Sequence, residues 1–238
     1  MKINMKNTAK KLLIVLVSLP LFAFANADVH LDKAPIDLHD KNSLQRGAKT
    51  FVNHCLNCHS ANYMRYNRLQ DIGLTEKQIK ENLLFAGEKV GDTMKSAMKP
   101  KDAKAWFGAP PPDLSVEVRA RGVDWIYTYM RSFYKDSSTP TGWNNKIFDK
   151  VAMPHVLYQY QGEQMLSHET HQLKLVKAGI MSVEEYDGMI ADLTNYMSFM
   201  AEPVKAKRTC MGWFVLFFLS VLFVFAYKLK KAYWKDIR

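Results

Sequence analysis

The chain has 238 residues, is 48% hydrophobic and carries a formal net charge of +10. That charge does not describe a nucleic-acid surface, because residues 28–204 hold 21 Lys+Arg against 22 Asp+Glu, a net of −1, and the positive excess lies at the two ends of the chain. Only three cysteines are present, Cys55, Cys58 and Cys210, too widely distributed for a disulfide framework if the first two serve one motif.

At the N-terminus, Lys2, Lys6, Lys10 and Lys11 precede an apolar run from Leu12 to Phe24, and Ala25-Asn26-Ala27 has the small-x-small form of a cleavage site. This predicts a secretory signal peptide over residues 1–27 and a mature chain that begins at Asp28. An N-terminal membrane anchor is the alternative, and the short run ending at a cleavage motif argues against it. Residues 28–204 then form one exported domain, long enough to build its own core. Asp28 to Lys41 is polar, contains Pro35 and reads as an extended lead-in. Leu44, Gly47, Ala48, Phe51, Val52 and Cys55 fall at helical spacing, so a helix is expected to run into Cys55. Gly47 on its buried face would let a second helix approach closely.

Cys55-Leu56-Asn57-Cys58-His59 is a Cys-x-x-Cys-His run, the attachment pattern of a c-type haem. Two thiols on one turn can each form a thioether to a haem vinyl group, and the next histidine supplies the proximal imidazole. A Cys-x-x-Cys pair can also be a redox dithiol or half of a zinc site. The sequence has no second cysteine pair for zinc, and export, the adjacent histidine and the preceding helix favour haem.

Further on, Thr75-Glu76-Lys77-Gln78 is a capping box with Leu74 as a hydrophobic staple, predicting a helix that ends near Gly87. Lys89 to Ala105 is lysine-rich and reads as a solvated loop. Ala109-Pro110-Pro111-Pro112-Asp113 must be extended. Its rigid carbonyls could accept the second ring N–H of His59, the usual orienting contact of a ligating histidine, or it is a plain polyproline loop. Arg119 and Arg121 are candidates for a haem propionate through bidentate pairing, or surface arginines. Trp125, Ile126, Tyr129, Met130 and Phe133 mark an amphipathic helix, and Ser137 to Asn145 is rich in turn residues.

The sixth iron ligand has two candidates. Met153 lies in Val151-Ala152-Met153-Pro154, outside the helical stripes and beside a proline that restricts its backbone. A methionine there would close the coordination and raise the potential. His155 is the rival and would give a bis-histidine haem, or it is an ordinary loop histidine. The other methionines of the domain read as core filler. Ser182-Val183-Glu184-Glu185 is a second capping box, and Val183, Tyr186, Ile190, Leu193, Met197 and Met200 form one face of the helix that follows, up to a break at Pro203. No convincing pair of alternating strands is present, so a mainly α domain is predicted.

A basic linker, residues 205–208, leads to 19 uncharged residues, Thr209 to Tyr227, which as a helix would span about 28 Å, close to the hydrocarbon thickness of a bilayer. The run is apolar all round, with Trp213 and Tyr227 near its ends as interfacial aromatics. A buried core helix is the alternative. The tail, residues 228–238, carries Lys228, Lys230, Lys231, Lys235 and Arg238, which suits a cytoplasmic C-terminus with the domain outside. Cys210, at the start of the span, reads as a small apolar residue.

Several segments taken in order resemble the cytochrome c1 family, the haem subunits of ubiquinol–cytochrome c reductase (bc1) complexes, in its short bacterial form. They are Cys55 to His59; Trp106-Phe107-Gly108 followed by Pro111-Pro112-Asp113-Leu114-Ser115; Arg119-Ala120-Arg121-Gly122; Ala152-Met153-Pro154; Ala201-Glu202-Pro203; and a C-terminal anchor with a basic tail. The resemblance implies a class I cytochrome c-like domain with insertions, its first and last helices crossing near Gly47, and one C-terminal transmembrane helix. It implies one covalently bound haem c on Cys55 and Cys58, with His59 and Met153 on the iron. It also implies Arg121 at a propionate, the Pro112 carbonyl on His59, and Trp125 beside the haem where many relatives have tyrosine. The large insertions of mitochondrial members are absent.

The function it implies is electron transfer, with no substrate bond made or broken by this chain alone. Electrons would come from the Rieske iron–sulfur protein and go to a soluble cytochrome c or an equivalent acceptor. The anchor would lie in membrane lipid against cytochrome b, in a dimeric complex of the bacterial inner membrane with the haem domain in the periplasm. A c-type cytochrome of another respiratory enzyme, a haem peroxidase and a haem-free structural subunit are the rival readings.

Overall fold

Asp40 opens the first helix: its carboxylate accepts the Ser43 N–H at 3.0 Å and caps α1 (Lys41–Thr50). This is seen in a computed structural model that describes residues 30–235 except 168. The expected signal peptide, residues 1–27, the start at Asp28 and the last three residues of the tail lie outside the described residues.

Helix α1 continues into one π turn, Phe51–Cys55, where the Leu56 N–H reaches the Phe51 carbonyl at 3.0 Å. The expected helix into Cys55 is therefore present, widened into a single π turn where it delivers the cysteines. Its partner is α7 (Val183–Ala201), which starts at the expected capping box of Ser182 and Glu185. The two helices meet at Gly47. A Cβ there would overlap the Asp192 carbonyl and come within 2.7 Å of Tyr196 Cβ, so only glycine lets the backbones pass this closely. The crossing is held by Arg46, which pairs in fork geometry with Asp192 at 2.6 and 2.9 Å. Asn195 adds bonds from Nδ2 to the Asp37 carbonyl at 2.7 Å and to Ser43 Oγ at 3.0 Å. Tyr186, Ile190, Leu193, Met197 and Met200 are buried as the helical face predicts. Val183 is 57% exposed, because it is the first helical residue and precedes the packed turns.

The other elements of the domain lie between these two helices in the chain. Strand β1 (Ala61–Arg65) pairs with β2 (Thr93–Met94), and a 3-10 turn, Tyr66–Ile72, leads to α2 (Glu76–Asn82). The Thr75 capping box forms, but α2 stops before the expected Gly87, because the N–H groups of Leu83 and Leu84 both bond the Ile79 carbonyl, at 3.0 and 2.9 Å. The segment read as a solvated loop holds buried Met94 and α3 (Pro100–Phe107), with Pro100 in its first turn and Gly108 ending it at φ 82°. Its lysines are a solvated helix face.

Helices α4 (Glu117–Arg121) and α5 (Val123–Arg131) follow the proline segment. Strand β3 (Phe133–Lys135) pairs with β4 (Trp143–Asn145), and α6 (Tyr158–Gln161) precedes a hairpin of β5 (Gly162–Leu166) and β6 (Leu173–Ala178). The expectation of no strand pairs is thus corrected. These ladders are short, and β6 is almost wholly exposed, so neither length nor alternation marks them in the sequence. Helix α5 is tied to the lead-in and to α7 by Arg131, which bonds Asp32 at 2.6 Å and Asp187 through Nε at 2.6 Å and Nη2 at 2.5 Å.

Helix α8 (Lys205–Tyr233) runs through the basic segment 205–208, the apolar run and the start of the tail without a break. Arg208 bonds back to the Val204 carbonyl at 2.8 Å, so the basic residues form the first turn of the span itself. Among the described residues this is the helix long and apolar enough to cross a membrane, and none of that span is buried.

Candidate haem site

The π turn determines where the motif points. Cys55 is buried and Cys58 half-buried, and the His59 N–H bonds the Cys55 carbonyl at 2.8 Å, so the three functional residues share one compact turn. Burial pushes the Cys55 thiol up to about 12, with the Cys58 thiol adding repulsion, and burial also raises Cys58. Burial lowers the pKa of His59, although the Pro112 contact opposes this, which favours the neutral ring, the form that binds iron.

The orienting contact is made. His59 Nδ1 lies 2.8 Å from the Pro112 carbonyl and donates to it, which leaves Nε2 for a metal. The proline segment is itself anchored on its C-terminal side. Asp113 accepts the Asn62 N–H at 2.9 Å, Asn62 Nδ2 at 2.7 Å and the Ser115 N–H at 2.8 Å. Burial alone would raise its pKa, but these bonds from Ser115 and Asn62 outweigh it and hold the carboxyl below the usual range.

These groups open onto an apolar cavity of about 350 Å³. Cys55, Cys58, His59, Pro112, Arg121, Trp125 and Met153 all line it, so residues from position 55 to position 153 converge on one space. Arg121 is braced by Glu117 at 3.2 Å and lies 4.9 Å over the Trp125 ring and 5.6 Å over Phe148. The donor set fits a haem c: paired thiols, a neutral imidazole with one nitrogen committed, a thioether, an apolar wall and a guanidinium.

His155 does not line the cavity. It is 2% exposed, stacked on Phe133 at 4.8 Å and edge-on to Trp143 at 5.1 Å. Burial depresses it to about 4, with Gln161 near enough to oppose this but not in hydrogen-bond geometry.

Tyr129 and His54 are among the wall residues that the sequence does not mark as such. In the sequence Tyr129 stands only in a helical stripe. Its ring stacks on Trp125 at 4.8 Å and 12°, and its hydroxyl donates to the Met153 sulfur at 3.5 Å. The signal was the i, i+4 spacing from Trp125, which puts both rings on one face. His54 also lines the cavity, with Nε2 3.4 Å from the Tyr160 hydroxyl; its place follows from the π turn, which no spacing rule anticipates.

Residues 31–237 match the profile of the cytochrome C1 family. The chain belongs to this family. Among its relatives, cytochrome c1 of Allochromatium vinosum is 49% identical over 219 residues, covering 87% of this chain and 90% of the relative. A protein of Nitrosomonas europaea described as an ammonia monooxygenase gamma subunit is 54% identical over 229 residues, covering 96% of this chain and 98% of its own. A chain of a hyperthermophilic respiratory complex III aligns over 98% of this chain and 99% of its own, at a TM-score of 0.49 and 19% identity, a distant likeness that adds nothing to the assignment. As a cytochrome c1 family member the chain is a haem-dependent electron-transfer subunit with a membrane anchor.

Proposed function

We propose that this chain is the haem subunit of a quinol–cytochrome c reductase (bc1) complex. Cys55 and Cys58 would hold one haem c covalently, and His59 and Met153 would ligate its iron. The main support is the convergence of Cys55, Cys58, His59 and Met153 on one apolar cavity, with His59 already oriented by Pro112. A haem c bound there supplies a one-electron iron couple. The chain would hold that couple rigid: Cys55 and Cys58 would tether it, the Pro112 carbonyl fixes the His59 ring, and Arg121 would pair with a propionate. The apolar wall of Trp125, Ile126, Met130 and Leu193 excludes water, which limits ligand exchange and favours a carrier over a peroxidase.

In this role the chain accepts single electrons from a Rieske iron–sulfur protein and passes them to a soluble cytochrome c or an equivalent carrier. It makes and breaks no substrate bond, so it is not an enzyme on its own. Helix α8 anchors it in lipid beside cytochrome b, within a dimeric complex. The haem domain faces the periplasm and the basic tail the cytoplasm, by the positive-inside rule.

The relative described as a monooxygenase gamma subunit motivates a second reading, in which the same carrier serves another membrane oxidation. Affinity purification of the tagged full chain from detergent-solubilised membranes separates the two. Recovery with a cytochrome b and a Rieske protein, and a pyridine haemochrome of the c type, is expected. Recovery with oxidase or monooxygenase subunits instead would overturn the bc1 assignment. Reporter fusions at the C-terminus should report a cytoplasmic tail.

A further inference from the structure

We propose that Tyr129 is a positioning residue for the redox centre: its hydroxyl holds the Met153 sulfur in place and draws electron density from it, which raises the reduction potential. The inference rests on the reading of Met153 as axial ligand. Tyr129 Oη lies 3.5 Å from Met153 Sδ. The ring cannot swing away, because it is stacked on Trp125 at 4.8 Å and packed edge-on against Phe133 at 5.1 Å and 71°. The backbone is pinned as well, with Asn145 Nδ2 donating to the Tyr129 carbonyl at 2.8 Å.

A phenol buried in an apolar wall needs a partner for its proton. Here the partner is a thioether, a weak acceptor with two lone pairs. One lone pair can serve iron while the other takes the Tyr129 proton, so the bond selects which face of the sulfur is presented to the metal. It also competes for sulfur electron density. Oxidised iron draws on that density more than reduced iron does, so the competition destabilises the oxidised state and raises the potential, the outer-shell lever on a haem centre. A net hydrogen bond of ordinary strength changes an equilibrium constant by about two- to tenfold, and tenfold corresponds to about 59 mV for a one-electron couple.

The test is redox titration of the haem-loaded full chain in detergent, parent against Tyr129→Phe, which keeps the ring and removes the donor. The potential should fall, by about two- to tenfold in the reduction constant, while the near-infrared methionine–iron band persists at a shifted wavelength. An unchanged potential with the band present overturns the proposal. A parent protein without that band shows instead that Met153 is not the ligand, which removes the basis of the proposal at a different step. In a Met153→Leu background Tyr129→Phe should have no effect on the potential; the same shift in both backgrounds would mean that Tyr129 does not act through the sulfur. Should Tyr129→Phe fail to load haem, 3-fluorotyrosine at position 129 provides a stronger donor, and its potential should rise; no change or a fall overturns the idea.

Discussion

Gly47 and Asp192 are in contact through backbone alone: the α-carbon of one helix faces the carbonyl of the other with no room for a methyl group between them. This contact sets the separation of α1 and α7, and through α1 it sets the position of Cys55 and His59. Gly47→Ala should therefore separate the helices and cost about 1–3 kcal/mol, the range for overpacking. A lowered urea midpoint and a smaller fraction of chain carrying covalent haem would both be observed. A midpoint equal to the parent's would mean that the crossing does not depend on glycine.

Met153 and His155, two residues apart, face different surroundings, since only Met153 lines the cavity. Met153→Leu should leave haem attached and lower its potential by a large margin, because the thioether proposed to favour reduced iron is lost. His155→Phe should leave the ligand-sensitive absorption bands unchanged and the stability within about 1 kcal/mol, since a buried ring without hydrogen-bonded nitrogens is replaced by an apolar one. Spectroelectrochemistry of both variants checks this; a spectral change only in His155→Phe would reverse the ligand assignment.

Asp113 joins the proline segment to β1, so its charge bears on the orientation of His59. Its carboxyl is held below the ordinary 3.8 in the folded chain. A carboxylate with a depressed folded pKa contributes stability that is complete above its unfolded value and lost as pH falls through the lower folded value. Asp113→Asn should thus be less stable by about 1–3 kcal/mol at pH 7 and should converge with the parent only in strong acid. Thermal midpoints measured from pH 7 down to pH 2 give the comparison; a constant gap across that range would contradict the linkage.

Arg131 gathers Asp32 and Asp187, from two other segments of the chain, at a partly buried position, and its guanidinium also lies 4.6 Å over the Tyr127 ring. Arg131→Leu should cost about 1–3 kcal/mol, between the values for exposed and fully buried ion pairs. Because the site is remote from the cysteines in the chain and outside the cavity lining, the haem spectrum should not change. Denaturation in urea with parallel absorption spectra tests both parts.

Local chemistry was legible from the chain because it depends on neighbours in sequence. Cys55, Cys58 and His59 share one turn, Thr75 and Ser182 announce their helices through side chains three residues apart, and the charge-free run after Arg208 reads as a span whatever surrounds it. Elements whose stability comes from distant contacts were not legible. The strands are short and take their order from partners elsewhere, and α3 was hidden by lysines that a solvated helix face tolerates as readily as a loop does. The π turn at Phe51–Cys55 has no sequence signature, and neither does the early end of α2 at Asn82.

By itself the sequence determined the chemical inventory of this cytochrome c1 family member: a pair of thiols with a histidine, a methionine and arginines of the right kinds, and an apolar anchor. Periodicity and motif spacing carry that much, since they act over a few residues. Only the tertiary structure decided which of these groups share a cavity. It placed Met153 in the wall and His155 behind it, set the Pro112 carbonyl on the His59 ring, and brought Tyr129 to the Met153 sulfur. Those choices follow from close packing between segments far apart in the chain, above all the approach of α7 to Gly47, and no local pattern encodes a contact of that range.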